Sequence, residues 1–226
     1  MSLFVPRRIE SEELLDEMNA PREDMERSLR DLRFINRYLG GISVYRRLLR
    51  QAVPLCRSII DLGAGTADLV ASVDVPLRVA VDFKIQHLQY GRSIDGPGGG
   101  LNQIRRVVAD GFRLPFKTSS IDVVTSAHFF HHFSPQENVE MLREATRVAR
   151  KAVVINDTRR NVFPLLFVKL LGVLGLVGRI TKNDAPASVQ QAYTVEEIEQ
   201  VIAKSGARQH RIRRAAPFRF GLIVWK

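Results

Sequence analysis

Between residues 57 and 156 short apolar runs alternate with stretches whose apolar residues recur every three or four positions. The runs SIIDL (58–62), LRVAVD (77–82), IRRVVAD (104–110), IDVVTSA (121–127) and AVVIND (152–157) are strand candidates. Helical spacing separates most of them, most clearly over 134–149, where Val139, Leu142, Ala145, Thr146 and Ala149 share one side. Strands alternating with helices predict βαβ units and a parallel sheet. Upstream, residues 9–50 read as helices: Leu29, Leu32, Ile35 and Leu39 form a stripe, Arg30, Arg33 and Arg37 lie off it, and Gly40-Gly41 ends the segment. Downstream come an apolar stretch and a helix near 194–204, with Thr194 as cap and Glu197 at the capping-box position. Two strand-like runs, RQHRIRR and FRFGLIVWK, follow with Pro217 between them, and DGPGGG (95–100) reads as a flexible loop.

The most informative junction is SIIDLGAGTADLV (58–70), a strand that passes through Gly63 and Gly65 into a helix. Glycines in such a turn let the backbone bend sharply and approach a ligand closely. A phosphate-cradling loop needs Lys and Ser or Thr after its last glycine, where this chain has TADLV. A dinucleotide turn needs a third glycine, and Asp68 near the helix start would stand beside the pyrophosphate. A ligand without phosphate fits better. S-adenosylmethionine, with its nucleoside, amino-acid tail and sulfonium, is such a ligand. Asp82 closes the second run about twenty residues on, where a carboxylate takes ribose hydroxyls. Asp110 follows the third, where it could accept the adenine amino group while Phe83 covers the ring. Any one of these acids could be an ordinary turn residue. Their ordered recurrence at the ends of successive strands carries the reading.

With IIDLGAGTADL, VAVDFK, ADGFRLPF, IDVVTSAHFFHHF and LREATRVARKAVVIND in place, the chain resembles the class I S-adenosylmethionine-dependent methyltransferases over roughly residues 57–157. It looks closest to a small-molecule branch that includes quinone-biosynthesis enzymes. The resemblance implies an α/β, Rossmann-like fold with a seven-stranded, mostly parallel sheet and a reversed last strand, the final hairpin lying around 207–225. It implies a helical lead-in or lid over 1–50 and a methyltransferase domain over 51–226, with an apolar helical cap inserted at 158–192. S-adenosylmethionine is the implied cofactor, held by Asp61, Gly63, Ala64, Gly65, Asp82, Phe83, Asp110, Gly111, Phe112 and Ala127. The chain departs from the family in two places: Ala67 replaces the usual third glycine, and Arg150-Lys151 replaces a glycine pair before the fifth strand.

The stretch after the fourth strand bears on the acceptor. Family members that methylate planar amino groups carry Asn or Asp, two prolines and an aromatic there, whereas this chain has Ala127, His128, Phe129 and Phe130. Methylation of an exocyclic base nitrogen is therefore disfavoured. A phenol or enol acceptor must lose a proton, which makes His128, or failing that His131, the candidate general base. A purely packing role for His128 remains the alternative. No metal is expected, because His128, His131 and His132 lack a cysteine or carboxylate partner nearby in sequence. The segment 163–177 is almost wholly apolar but too short to span a bilayer. It reads as a cap over a hydrophobic acceptor, as an interfacial segment flanked by Arg159, Arg160, Arg179 and Lys182, or as a buried helix with no ligand. The N-terminal helices are expected to fold over the cofactor, with Arg37 or Tyr38 in contact.

Composition narrows the partners. With 226 residues and 45% hydrophobic content the chain can bury one substantial core. The net charge of +10 is dispersed along the sequence rather than gathered in a tail, so it sets a general surface property more than a nucleic-acid site. An RNA methyltransferase and an inactive cofactor-binding partner protein are the competing readings. The single Cys56 cannot form an internal disulfide, and the charged, proline-interrupted N-terminus does not read as a signal peptide. The expected partner is a hydrophobic small molecule, and the expected setting is cytoplasmic with peripheral membrane contact.

Overall fold

A computed structural model describes residues 4–16, 20–94 and 103–226. The DGPGGG loop expected at 95–100 lies outside the described residues. The seven strands are β1 (Ser58–Leu62), β2 (Leu77–Asp82), β3 (Arg105–Val108), β4 (Ile121–Ala127), β5 (Ala149–Thr158), β6 (Gln209–Ala215) and β7 (Arg219–Trp225). They form one sheet in the order β3-β2-β1-β4-β5-β7-β6, parallel except that β7 runs antiparallel to β5 and β6. This is the expected sheet with its reversed last strand. Order reverses beside β1, which pairs β2 on one side and β4 on the other. Open α/β sheets bind ligands at the carboxyl ends of the strands where such a reversal opens a crevice.

Side chains alternate across the sheet, so neighbouring residues feed opposite cores. Ile59, Val123, Val154 and Ile223 pack with Val44 and Leu48 of α2 (Gly41–Ala52). Ile60, Val124, Val153 and Leu222 pack with Met141 and Leu142 of α5 (Pro135–Val148) and Ile198 and Ile202 of α8 (Val195–Ser205). Each such side chain, taken fully from water, contributes about 1.5–3 kcal/mol. Both α5 and α8 begin with a reciprocal capping box, Ser134 with Glu137 and Thr194 with Glu197, so their start points follow from local chemistry. Gly206, at φ +86°, ends α8.

The N-terminal region departs from its expected form. Residues 9–13 form no helix; Ile9 N–H donates to Gln190 O and Arg8 Nε to Gln191 O, tying this strip to α7 (Arg179–Gln191). Only Leu14–Asp16 makes a single helical turn before α1 (Arg22–Tyr38). Gly40-Gly41 does not end the helical region: Gly40 takes φ +86° to turn the chain, and Gly41 opens α2, which runs to Ala52. Between β5 and α8 lie α6 (Val162–Val173), α7 and little else; the two pack against each other, and α7 also packs against α1. No helix among the described residues is long and apolar enough to cross a membrane.

Candidate active site

The β1 loop is shaped by what lies on either side of it. A Cβ at Gly63, which sits at φ +64°, would collide with the Phe129 ring. A Cβ at Gly65, at φ +53°, would meet nothing within 4 Å. One glycine is closed by protein and the next faces open space, where a ligand can approach the backbone. Ala67 also adopts the left-handed conformation, at φ 65°, so the missing third glycine is replaced without a change of backbone course. Gly65 N–H donates to Asp82 Oδ2 at 2.8 Å, and Lys84 N–H to Asp82 Oδ1 at 2.8 Å. That carboxylate is thereby fixed at the end of β2.

Gly63, Gly65, Asp82, Phe83, Asp110, Gly111, Phe112, His128 and His131 all line one cavity of about 940 Å³ at the carboxyl ends of the strands. Three residues from the sequence-based set do not. Ala64 and Ala127 are buried beneath it. Asp61 is 2% exposed and faces Thr125, whose hydroxyl lies 2.7 Å from its Oδ1 and 2.9 Å from the Tyr45 hydroxyl. Burial, opposed by that hydrogen bond and reinforced by Asp68 and Asp82, pushes the Asp61 carboxyl up to about 7. Strand alternation turns its side chain to the face covered by α2, which carries Tyr45. Asp110 accepts Phe112 N–H at 2.9 Å, an Asx turn that holds the rim. Phe83 is exposed on the cavity side, while Arg37 stacks on Tyr38 away from it; Leu29 and Leu32 are the α1 residues in the wall.

The tip of β4 carries the histidines. His128 adopts φ 52°, a left-handed conformation rare for a side chain with a Cβ, and its N–H is held by Asn156 O at 3.1 Å. Its Nδ1 shares a 3.2 Å hydrogen bond with the Thr158 hydroxyl, and its Nε2 has no partner. Burial, then the neighbouring Arg219, holds its pKa well below the ordinary value, so the ring is neutral at physiological pH. His131 Nδ1 donates to Asp157 Oδ1 at 2.8 Å, and its own N–H to Asp157 Oδ2 at 3.2 Å. Burial opposes the Asp157 charge, but His131 outweighs it and keeps the carboxyl well below its usual range.

Carboxylates do reach these histidines, contrary to the sequence expectation that they lack acidic partners. They come from the N-terminal strip with its single helical turn and from β5, separations that local spacing cannot show. Asp16 Oδ2 lies 3.1 Å from His132 Nδ1, and Glu13 Oε1 lies 3.8 Å from His131 Nε2. Burial works against the His132 charge, yet the Asp16 hydrogen bond and Glu13 raise its pKa to about 9. The strip is secured further by Asp184, which accepts Leu14 and Leu15 N–H at 3.0 and 2.9 Å. Three-ligand groupings result, Glu13 with His131 and His132, and His128 with His131 and Asp157, in which hydrogen bonds and ion pairs already engage the carboxylates.

Past His128 a second cavity of about 300 Å³ opens, walled by Leu32, Ile35 and Leu39 of α1, Pro164, Phe167 and Leu171 of α6, and Ala185 and Val189 of α7. Pro217 and Phe218 of the β6–β7 turn close its floor with Arg219. His128 lines both cavities. Leu32, Ile35 and Leu39 of the α1 stripe therefore line a cavity, and Glu13, Thr158 and Arg219 join the site without having been anticipated. Arg219 alone had a sequence signal, a lone cation opening the apolar run RFGLIVW.

Residues 59–152 match the family model described as "Methyltransferase domain". No curated protein matches the sequence. Among solved structures, a SAM-dependent methyltransferase from Aquifex aeolicus is similar at 17% identity, with TM-score 0.64, 88% of this chain and 97% of that one. Human N-acetylserotonin methyltransferase in complex with SAM is similar at 13% identity, with TM-score 0.69, 96% of this chain and 60% of that one. A protein titled PigF with SAH is similar at 16% identity, with TM-score 0.66, 96% of this chain and 63% of that one. This chain thus spans under two thirds of the latter two. At these identities the likeness is one of fold.

Proposed function

We propose, on the premise that residues 59–152 are a methyltransferase domain of the S-adenosylmethionine-dependent class, that this protein transfers a methyl group to an oxygen, rather than a carbon, of a hydrophobic small molecule such as a phenol, polyketide or quinol. The observation that carries this reading is the meeting of the two cavities at His128, one lined by the glycine loop and strand-end acids, the other mostly apolar. The residues fit the cofactor. Open space over Gly65 admits an approaching ligand, Asp82 is placed for ribose hydroxyls, and Phe83, Asp110, Gly111 and Phe112 line the part suited to adenine. Asp61, Ala64 and Ala127 act through the loop and strand they support. S-adenosylmethionine supplies an electrophilic methyl on a sulfonium. The protein's task is then to align the acceptor, exclude water and receive a proton where the acceptor carries one.

His128 meets that last need. Its neutral ring, in the tautomer that donates Nδ1–H to Thr158, leaves a lone pair on the unpartnered Nε2. Asp157 and Thr158 orient the imidazoles, and α1, α6 and the strip around Glu13 shield them from bulk water. The outward face of α6 supports a second part of the proposal, peripheral membrane contact. Phe163, Leu166, Leu170, Val173 and Leu174 are exposed there, beside exposed Lys169 and Arg179. A helix with one face on the acceptor cavity and the other outward suits an acceptor drawn from lipid.

The test is turnover of S-adenosylmethionine with a homologous series of alkylphenols, read as S-adenosylhomocysteine released. Catalytic efficiency should rise with chain length, and His128→Gln should lower kcat by roughly 10²- to 10⁴-fold with cofactor affinity unchanged. No turnover across the series would contradict the acceptor class.

A further inference from the structure

The 300 Å³ cavity has polar groups in its wall, and nearly all are satisfied by protein. The Ser188 hydroxyl donates to Glu13 Oε1 at 2.6 Å, and the Thr181 hydroxyl to Ser28 at 3.2 Å. Asp184 takes the Leu14 and Leu15 amides, and Thr158 takes His128 Nδ1. Two polar atoms in this wall are left without a partner, His128 Nε2 and Arg219 Nη1. The first has an assignment in the proposed chemistry. Arg219 does not.

Arg219 is 3% exposed at the start of β7, and its Nε donates to Leu39 O at 3.2 Å. That bond pins the guanidinium plane. Burial lowers its pKa to about 10, with Asp157 partly offsetting the effect, so it stays a cation at physiological pH. No carboxylate lies within ion-pair distance of it among the described residues. A buried, unpaired guanidinium costs stability unless a ligand completes it. Arg also presents its donors as a rigid planar fork suited to a carboxylate.

We propose that Arg219 is an anion-anchoring residue of the acceptor pocket, and that the acceptor is an amphiphilic organic acid whose carboxylate meets Arg219 while its apolar body fills the space between α1 and α6. That the bound acid is a methyl acceptor rests on the proposed methyltransferase reading, whereas the binding site rests on the cavity alone. The anchor also sets register. With the carboxylate held at Arg219, the part of the molecule beside His128 is fixed, so specificity arises from the distance between acid and acceptor oxygen rather than from hydrophobicity alone.

Calorimetric titration with dodecanoate, dodecanamide and dodecanol, with and without S-adenosylhomocysteine, tests it. Wild type should bind dodecanoate at least about tenfold more tightly than the amide or alcohol, the difference expected of a charge-assisted pair. Arg219→Gln should erase that preference while leaving S-adenosylhomocysteine affinity within about twofold, and Arg219→Lys should keep part of it. Equal affinity of wild type for the three probes would overturn the proposal without recourse to any variant, as would an acid preference that survives Arg219→Gln. Failure to bind S-adenosylhomocysteine would instead sink the methyltransferase reading, leaving the acid preference to be judged on the unloaded protein.

Discussion

Asp82 is the residue on which cofactor placement turns. Its two oxygens already hold Gly65 and Lys84 amides, so it is preorganised to accept further donors. Asp82→Ala should weaken S-adenosylmethionine binding by roughly 1.5–3 kcal/mol, about ten- to a hundredfold in Kd. Unchanged affinity by calorimetry would show that the cofactor lies elsewhere. Asp61 makes a different kind of prediction. Its folded pKa of about 7 stands above the ordinary 3.8, so between those pH values the folded state holds a proton that the unfolded state has lost. Stability falls as pH rises through that window. Asp61→Asn removes the titration, and its melting temperature relative to wild type should therefore climb from pH 5 to pH 8. A difference that stays flat with pH would mean that Asp61 titrates normally. Sequence showed that both acids end strands, but which face of the sheet each side chain takes separates Asp82 in the cavity from Asp61 beneath it.

Among the elements, β1, β2 and β4 begin and end where their apolar runs do, and α5 and α8 begin at their capping boxes. Local chemistry fixes these boundaries, which is why they were legible. The strip at residues 9–13 was not, since it has no period of its own and is held by α7 and the histidines that follow β4. Nor could the pattern on α1 tell a core face from a cavity wall, because both need apolar side chains. Within 163–177, α6 turns Phe167 and Leu171 to the apolar cavity and Leu166 and Leu170 outward, and the proposed function gives a use to each face. Leu166→Glu with Leu170→Glu should cut binding to phosphatidylglycerol vesicles by at least about tenfold, given what two exposed leucines gain on leaving water. Turnover of a short, water-soluble phenol should not change. If vesicle binding survives, α6 is not the lipid contact.

At the scale of the whole molecule, the reversal of strand order beside β1 creates a crevice and the chain closes it twice. The glycine loop and strand-end acids line a space of about 940 Å³, and α1, α6 and α7 close the crevice over an apolar one. His128, strained at the tip of β4, stands where the two meet. What the account depends on most is that the first space takes S-adenosylmethionine. Parallel calorimetric titrations of the purified protein with S-adenosylmethionine, S-adenosylhomocysteine and NAD decide it. Binding of the two sulfur nucleosides, with none of NAD, is the predicted result. Binding of NAD alone would contradict the account and make the Gly63–Gly65 turn a dinucleotide site.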